Sequence, residues 1–224
     1  MARTVKEVAE ALDRVQKRLP PTDGVKWFAW LYADVTRAIV RLFDEDELRT
    51  PEFMSELVVR FGNTFLASVE RPASAPRAWQ PLFERRHDRA VAPLQFAMAG
   101  LNAHVGSELP VGLVDAARKL DIDLSHARAE HEDWTKVNST IADVEPAAKR
   151  YLLTGAIKDL DPAFGQLDDL AATWSVEAAR EAARTQGRVV WSLRDVRFVR
   201  DPYVATLERS TRMVCRLLLA PRVV

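Results

Sequence analysis

Apolar residues along this chain recur at intervals of three and four rather than two, the spacing of one face of an α-helix. Val5, Val8, Leu12, Val15 and Leu19 predict a first helix from about Thr4 to Leu19, ended by Pro20-Pro21. A second starts near Asp23, an N-cap residue, and carries Trp27, Trp30, Leu31, Val35, Ile39 and Leu42 up to the acidic turn DEDE. Thr50-Pro51 opens a third through Phe53, Leu57, Val58, Phe61 and Phe65. The segment 71–93, RPASAPRAWQPLFERRHDRAVAP, predicts an ordered crossing loop with one short helix around 79–84. Further helices are expected over about 93–107, 110–120, 125–144, 145–154 closing at Gly155, and Pro162 to Arg184. A turn or two at 189–193 and a last helix over 202–219 follow.

One stretch departs from the charged texture of the rest. Arg89 and Glu108 enclose eighteen residues without a charged side chain, in a chain where 29% of residues are charged. That predicts the central helix of a core. Leu94, Met98, Leu101 and Val105 form its apolar stripe, His104 and Glu108 share one flank at i and i+4, and Gln95 and Asn102 share the other. Buried polar groups cost free energy unless they are partnered, so the segment points to a site.

Eight glycines in 224 residues and the lack of alternating β-branched runs favour an all-α fold, and no linker divides it: a single all-helical domain over 1–224. A lone Cys215 excludes an internal disulfide and reads as core. Lys plus Arg and Asp plus Glu both number 32, so no global field recruits nucleic acid or an anionic membrane. Without a leader or an apolar span, the expectation is a soluble, cytoplasmic protein with a small-molecule substrate and no nucleic-acid or membrane partner. Nucleophile elbows, phosphate loops, CxxC, HExxH and dinucleotide fingerprints are absent.

The residues left to carry chemistry are few. A carboxylate one turn from an imidazole fixes its tautomer for acid–base work, or co-ligates a divalent cation; the plainer reading of His104 is a helix histidine bonded to a carbonyl, with Glu108 solvated. Asp34, beside Trp27 and Trp30, is a second candidate acid or base if those rings raise its pKa. Asn138, next to the apolar face of Trp134, Val137 and Ile141, is placed to meet Gln95 or Asn102. Asp88 reads as an N-cap and His87 as part of a solvated, arginine-rich edge. Arg180 and Arg184 either bring charge to the interior or pair with Glu177 and Glu181 along their own helix, the second being favoured.

The blocks WFAWLY with Asp34 and Thr36, AWQPLFERRHD, APLQFAMAGLNAHVGSELP, DWTKVN, and WSVEAAREA with VVWSLRD resemble the bacterial domain-of-unknown-function 5995 family over nearly the whole chain. The family's usual Asp is Glu108 here, which keeps the carboxylate and lengthens its reach. The resemblance implies a compact helical protein, directs attention to Gln95, Asn102, His104 and Glu108, and brings no assigned activity. The HxxxE spacing is also similar to that of helical zinc hydrolases of the phospholipase C and nuclease type, at the level of fold analogy.

The resulting expectation is an enzyme of bacterial small-molecule metabolism, working without a cofactor in an interior pocket lined by Trp27, Trp30 and Met98. His104 and Glu108, with Asp34, would do the chemistry; Gln95, Asn102 and Asn138 would bond a largely apolar substrate undergoing hydrolysis, cyclisation or isomerisation. One alternative is a zinc or iron hydrolase using His87, Asp88, His104, Glu108 and His131. Another is a non-catalytic ligand-binding protein in which His104 and Asn102 merely satisfy each other and the backbone.

Overall fold

The structure is a computed structural model that describes residues 1–154 and 164–221, with the backbone alone at 154 and 164–168. Among the described residues all regular structure is helical: α1 (Val5–Arg18), α2 (Val25–Asp44), α3 (Pro51–Glu70), α4 (Gln80–Arg85), α5 (Pro93–Ala103), α6 (Leu109–Lys119), α7 (Arg128–Thr154), α8 (Phe164–Thr173), α9 (Val176–Ser192) and α10 (Arg197–Leu218). Two single 3-10 turns, Pro72–Ser74 and Arg77–Trp79, lie in the crossing segment between α3 and α4.

Local chemistry explains most of the ends. Thr4 caps α1 by accepting the Glu7 N–H at 3.1 Å, while the Glu7 carboxylate takes the Arg3 N–H at 2.7 Å. Asp23 accepts the Val25 N–H at 3.0 Å and is paired with Arg86 of the crossing segment. For α3 the cap comes from a distance: buried Asp133 of α7 takes the N–H groups of Arg49 and Thr50 and the Thr50 hydroxyl, at 2.9, 2.6 and 2.7 Å. A carboxylate there satisfies orphan donors, complements the helix dipole and locks α7 to the start of α3.

α5 is the axis of the molecule, wedged between α2 and α10. Its small residues allow this: an added Cβ on Gly100 would lie 2.3 Å from the Phe28 ring. The polar flank of α5 faces α10. Gln95 donates to the carbonyls of Leu218 and Ala220 at 2.7 and 3.1 Å and accepts the Ala92 N–H, and Asn102 donates to the Thr211 carbonyl and Cys215 Sγ at 2.9 and 3.1 Å. The Cys215 thiol closes the seam on the Ala99 carbonyl at 3.3 Å.

Several expected boundaries move. The central helix does not stop near Ser107: a π-helical turn over His104–Glu108 joins α5 to α6. In it the Leu109 N–H bonds to the His104 carbonyl five residues back, and Pro110, which has no N–H to offer the ladder, follows directly. The expected break before Glu145 is absent, since α7 runs on through Pro146; burial of Ala148 and Leu152 outweighs the ~3 kcal/mol that an interior proline costs. The helix expected over Pro162–Arg184 is instead cut at Trp174-Ser175, where Ser175 caps α9 through the Ala178 N–H at 3.1 Å, and α9 absorbs the turn expected at 189–193. Its expected start at Pro162, like Gly155, lies outside the described residues.

Two glycines give a direct test of this packing. Gly100→Ala forces a methyl into Phe28 and is expected to lower stability by about 1–3 kcal/mol. Gly112→Ala, whose methyl meets only Leu57 at 3.7 Å, is expected to be neutral or to add up to about 1 kcal/mol through helix propensity. Urea denaturation of both variants measures the contrast; equal effects would show that the α2–α5 contact is looser than described.

Candidate active site

The π turn puts His104 inside a shell of rings. Phe61 from α3 lies flat against the imidazole, with centroids 3.3 Å apart and planes 10° from parallel, and Tyr32 and Phe28 from α2 meet it at 4.6 and 5.6 Å. His104 is 1% exposed. Its Nδ1 lies 2.8 Å from Glu108 Oε2, and the other carboxyl oxygen accepts the indole N–H of fully buried Trp79 at 2.7 Å. Trp79 thus orients the carboxyl group and Glu108 orients the imidazole, a support chain built from the crossing segment and the π turn.

Electrostatics follow from that burial. Removal from water, together with the positive charge of Arg180, lowers the His104 pKa well below the ordinary imidazole value. Burial raises Glu108 to about 8, with the Trp79 hydrogen bond opposing and nearby Glu208 adding. Near neutral pH the pair is therefore a neutral carboxyl group against a neutral imidazole, sharing one hydrogen bond. A protonated Glu108 donates to Nδ1 and leaves the imidazole hydrogen on Nε2; an ionised Glu108 accepts from Nδ1–H and leaves a lone pair on Nε2. The protonation of one carboxyl group sets whether the far edge of the ring is a donor or a base.

That far edge belongs to a cavity of about 50 Å³, walled mainly by leucine, valine and isoleucine side chains, Met54 and the rings of Phe28 and Phe61. The volume holds a few water-sized atoms, about a third of the ~150 Å³ known to admit benzene. Six buried side-chain nitrogen or oxygen atoms lack a hydrogen-bond partner among the described residues, and three of them belong to the polar residues of this one cavity wall: His104 Nε2, Tyr32 Oη and Arg180 Nη2. Burial, reinforced by Glu108 and opposed by Arg180, raises the Tyr32 pKa and keeps its hydroxyl a donor. Arg180 is lowered by burial to about 10 and stays cationic. Phe61 also lines a surface hollow of about 310 Å³, together with Glu108, so the Phe61 ring is the side chain shared by the interior cavity and the solvent side.

The remaining candidates are placed as follows. Asn138 does not reach Gln95 or Asn102; its carbonyl oxygen accepts Arg180 Nε–H at 2.6 Å and its amide donates to Glu181 at 2.8 Å, so it aims the guanidinium. Gln95 and Asn102 serve the α10 seam. Met98 is buried outside the cavity wall, and Trp27 and Trp30 pack on Tyr151, Trp30 at 4.2 Å between centroids. Asp34 is half-buried in an ion pair with Arg37 at 3.0 Å and takes no part in the wall. His87 and His131 are exposed, while Asp88 caps the Ala90 N–H and pairs with Arg85. Among the described residues no three His, Cys, Asp or Glu side chains converge as a metal would require, so the set His87, Asp88, His104, Glu108 and His131 is not brought together. Arg184 pairs along its helix with Glu181, as favoured from sequence, whereas Arg180 turns inward.

Tyr32, Phe61 and Arg180 are the wall residues that sequence reasoning passed over as site members. A signal existed for one: Val176, Arg180, Ala183, Gly187 and Val190 repeat at three and four, so Arg180 stands in the apolar stripe of α9.

A family model matches residues 5–221, that of a family of unknown function, DUF5995. The chain belongs to this family. No curated protein and no solved structure matches it. Membership of DUF5995 brings no assigned activity. No helix of the described residues is long and apolar enough to cross a membrane.

Replacing Glu108 by Gln tests the buried carboxyl group. Its folded pKa lies above the unfolded 4.5, so wild type is most stable, relative to Glu108→Gln, below pH 4.5 and loses ground as pH rises towards about 8, by a few kcal/mol in all. Denaturation of both proteins from pH 4 to 9 reads this difference. A difference independent of pH contradicts the raised pKa.

Proposed function

We propose that this protein is an acid–base enzyme that moves a proton at a carbon next to a carbonyl group of a small, largely apolar substrate, a reaction of the isomerase type. The observation that carries the reading is His104: one ring nitrogen is held by a carboxyl group, the other is unpartnered at the wall of an apolar cavity, and the ring is neutral near pH 7. A merely structural histidine would be expected to use both nitrogens.

The steps balance without a co-reactant. With Glu108 ionised and accepting Nδ1–H, the Nε2 lone pair takes the proton from the α-carbon. The C–H electron pair becomes a C=C bond and the carbonyl π pair moves onto oxygen, where the Tyr32 hydroxyl donates a hydrogen bond to the developing charge. The imidazolium, stabilised by the Glu108 carboxylate, then returns the proton to the same carbon or to its conjugated neighbour. Burial serves both ends, because a dry site strengthens the hydrogen bond to oxygen and keeps the imidazole a free base. Phe61, which lines both the cavity and the surface hollow, marks the route by which substrate would approach.

The test is proton–deuterium exchange in D₂O, followed by NMR on acetone, 2-butanone and 4-oxopentanoate, the small end of the class that a cavity of about 50 Å³ favours. Wild type is expected to exchange the α-protons of at least one probe above buffer, His104→Gln to lower that rate by about 10²–10⁴-fold, and the rate to rise with pH through about 8. In Glu108→Gln that pH limb is expected to vanish. Exchange at the buffer rate for every probe, or equal rates in wild type and His104→Gln, would refute the proposal.

A further inference from the structure

Arg180 presents a problem that the proton-transfer reading leaves unused. It is 7% exposed, and among the described residues no carboxylate lies within ion-pair distance of it. Its Nε donates to a neutral amide, Asn138, and its guanidinium carbon lies 4.1 Å from the centroid of the Trp134 ring. Those contacts fix its direction but supply no negative charge. Glu181, the nearest candidate counterion on its own helix, is spent on Trp134, Asn138 and Arg184. A buried cation with no carboxylate in contact is costly, the Glu181 charge supporting it only from beyond ion-pair distance, and Arg180, whose Nη2 has no partner, lines the apolar cavity.

We propose that Arg180 is the anchor for an anionic headgroup, and that the cavity takes small, unbranched aliphatic carboxylic acids in their ionised form. This deepens the acid–base reading by naming its substrate class, oxo acids in which the carboxylate is only the anchor and a ketone further along the chain carries the reacting C–H, and rests on it only in taking this cavity as the binding site. The headgroup is a carboxylate rather than a phosphate because the wall offers one cation, enough for a single charge, while the Tyr32 hydroxyl stays free for the ketone oxygen. The remaining lining is hydrocarbon and suits an alkyl chain. The present volume of about 50 Å³ favours short chains. Asn138 and Trp134 are then positioning residues: they pre-orient the guanidinium, so little ordering entropy is lost on binding.

Isothermal titration of the purified protein with acids from propionate to octanoate, and with the alcohol and amine of each length, tests this without requiring turnover. At the optimal length the acid is expected to bind at least about tenfold more tightly than the alcohol, and the amine not at all. Arg180→Met is expected to erase the preference for acid over alcohol, and Arg180→Lys to keep part of it. Should Arg180→Met fail to fold, the guanidinium Nε resonance of Arg180 in the wild-type protein is expected to shift saturably with the acid and not with the alcohol. Acid and alcohol of equal affinity, no acid binding at any length, or shifts confined to surface arginines would each overturn the anchor. The two assays on wild type separate the readings: acid binding without α-proton exchange sinks the acid–base reading alone, and exchange of 2-butanone without acid binding sinks the anchor alone.

Discussion

The hydrogen bond between Glu108 and Nδ1 of His104, formed inside a dry shell of aromatic rings, is the contact on which the site depends. Both groups are stripped of water, so each must be satisfied within the protein or be neutral. The π turn brings them together, Trp79 takes the second carboxyl oxygen, and Phe61 seals the face of the imidazole. Removing Trp79 or either member of the pair leaves a buried polar group without its partner, and removing Phe61 uncovers the face of the imidazole. The arrangement is therefore stable only as a set, which is why three separate parts of the chain, α3, the crossing segment and the α5–α6 junction, are committed to it.

Two groups of inward polar residues stand out. Asn63, Gln95, Asp133 and half-buried Asn102 are tied by close hydrogen bonds to backbone groups of other segments, and Asp23 to the Val25 N–H and to Arg86, and their work is to fix where helices start and how they dock. Tyr32, His104 and Arg180 each keep one polar atom unspent, and all three share a cavity wall. A fold seeking stability alone would satisfy those atoms or replace them by hydrocarbon. Three such atoms share this wall while the other three are scattered over Arg60, Trp174 and Arg212, and a cluster of that kind fits a site where binding would recover the cost.

The helical class, the central position of 93–107 and the pairing of His104 with Glu108 were legible because they follow from local rules: periodicity of three and four, an uncharged run, and i to i+4 geometry. Three kinds of feature were not. The role of Gln95 and Asn102 depends on α10, more than a hundred residues away, so their polarity announced burial without saying against what. Asp34 and Trp30 looked chemical by composition, but the rotation of α2 turns Tyr32 to the cavity and Asp34 towards Arg37. The π turn, the passage of α7 through Pro146 and the cut at Ser175 are cases in which tertiary packing or a cap outweighed the usual reading of a proline or of an unbroken apolar period.

The seam between α5 and α10 also bears on how the molecule comes to be folded. Asn102 finds its acceptor 109 residues downstream and Gln95 its farther one 125 downstream. Contacts so distant in sequence close a very long loop, which is entropically costly, and they make the flank of the least charged stretch depend on a helix from the far end of the described residues.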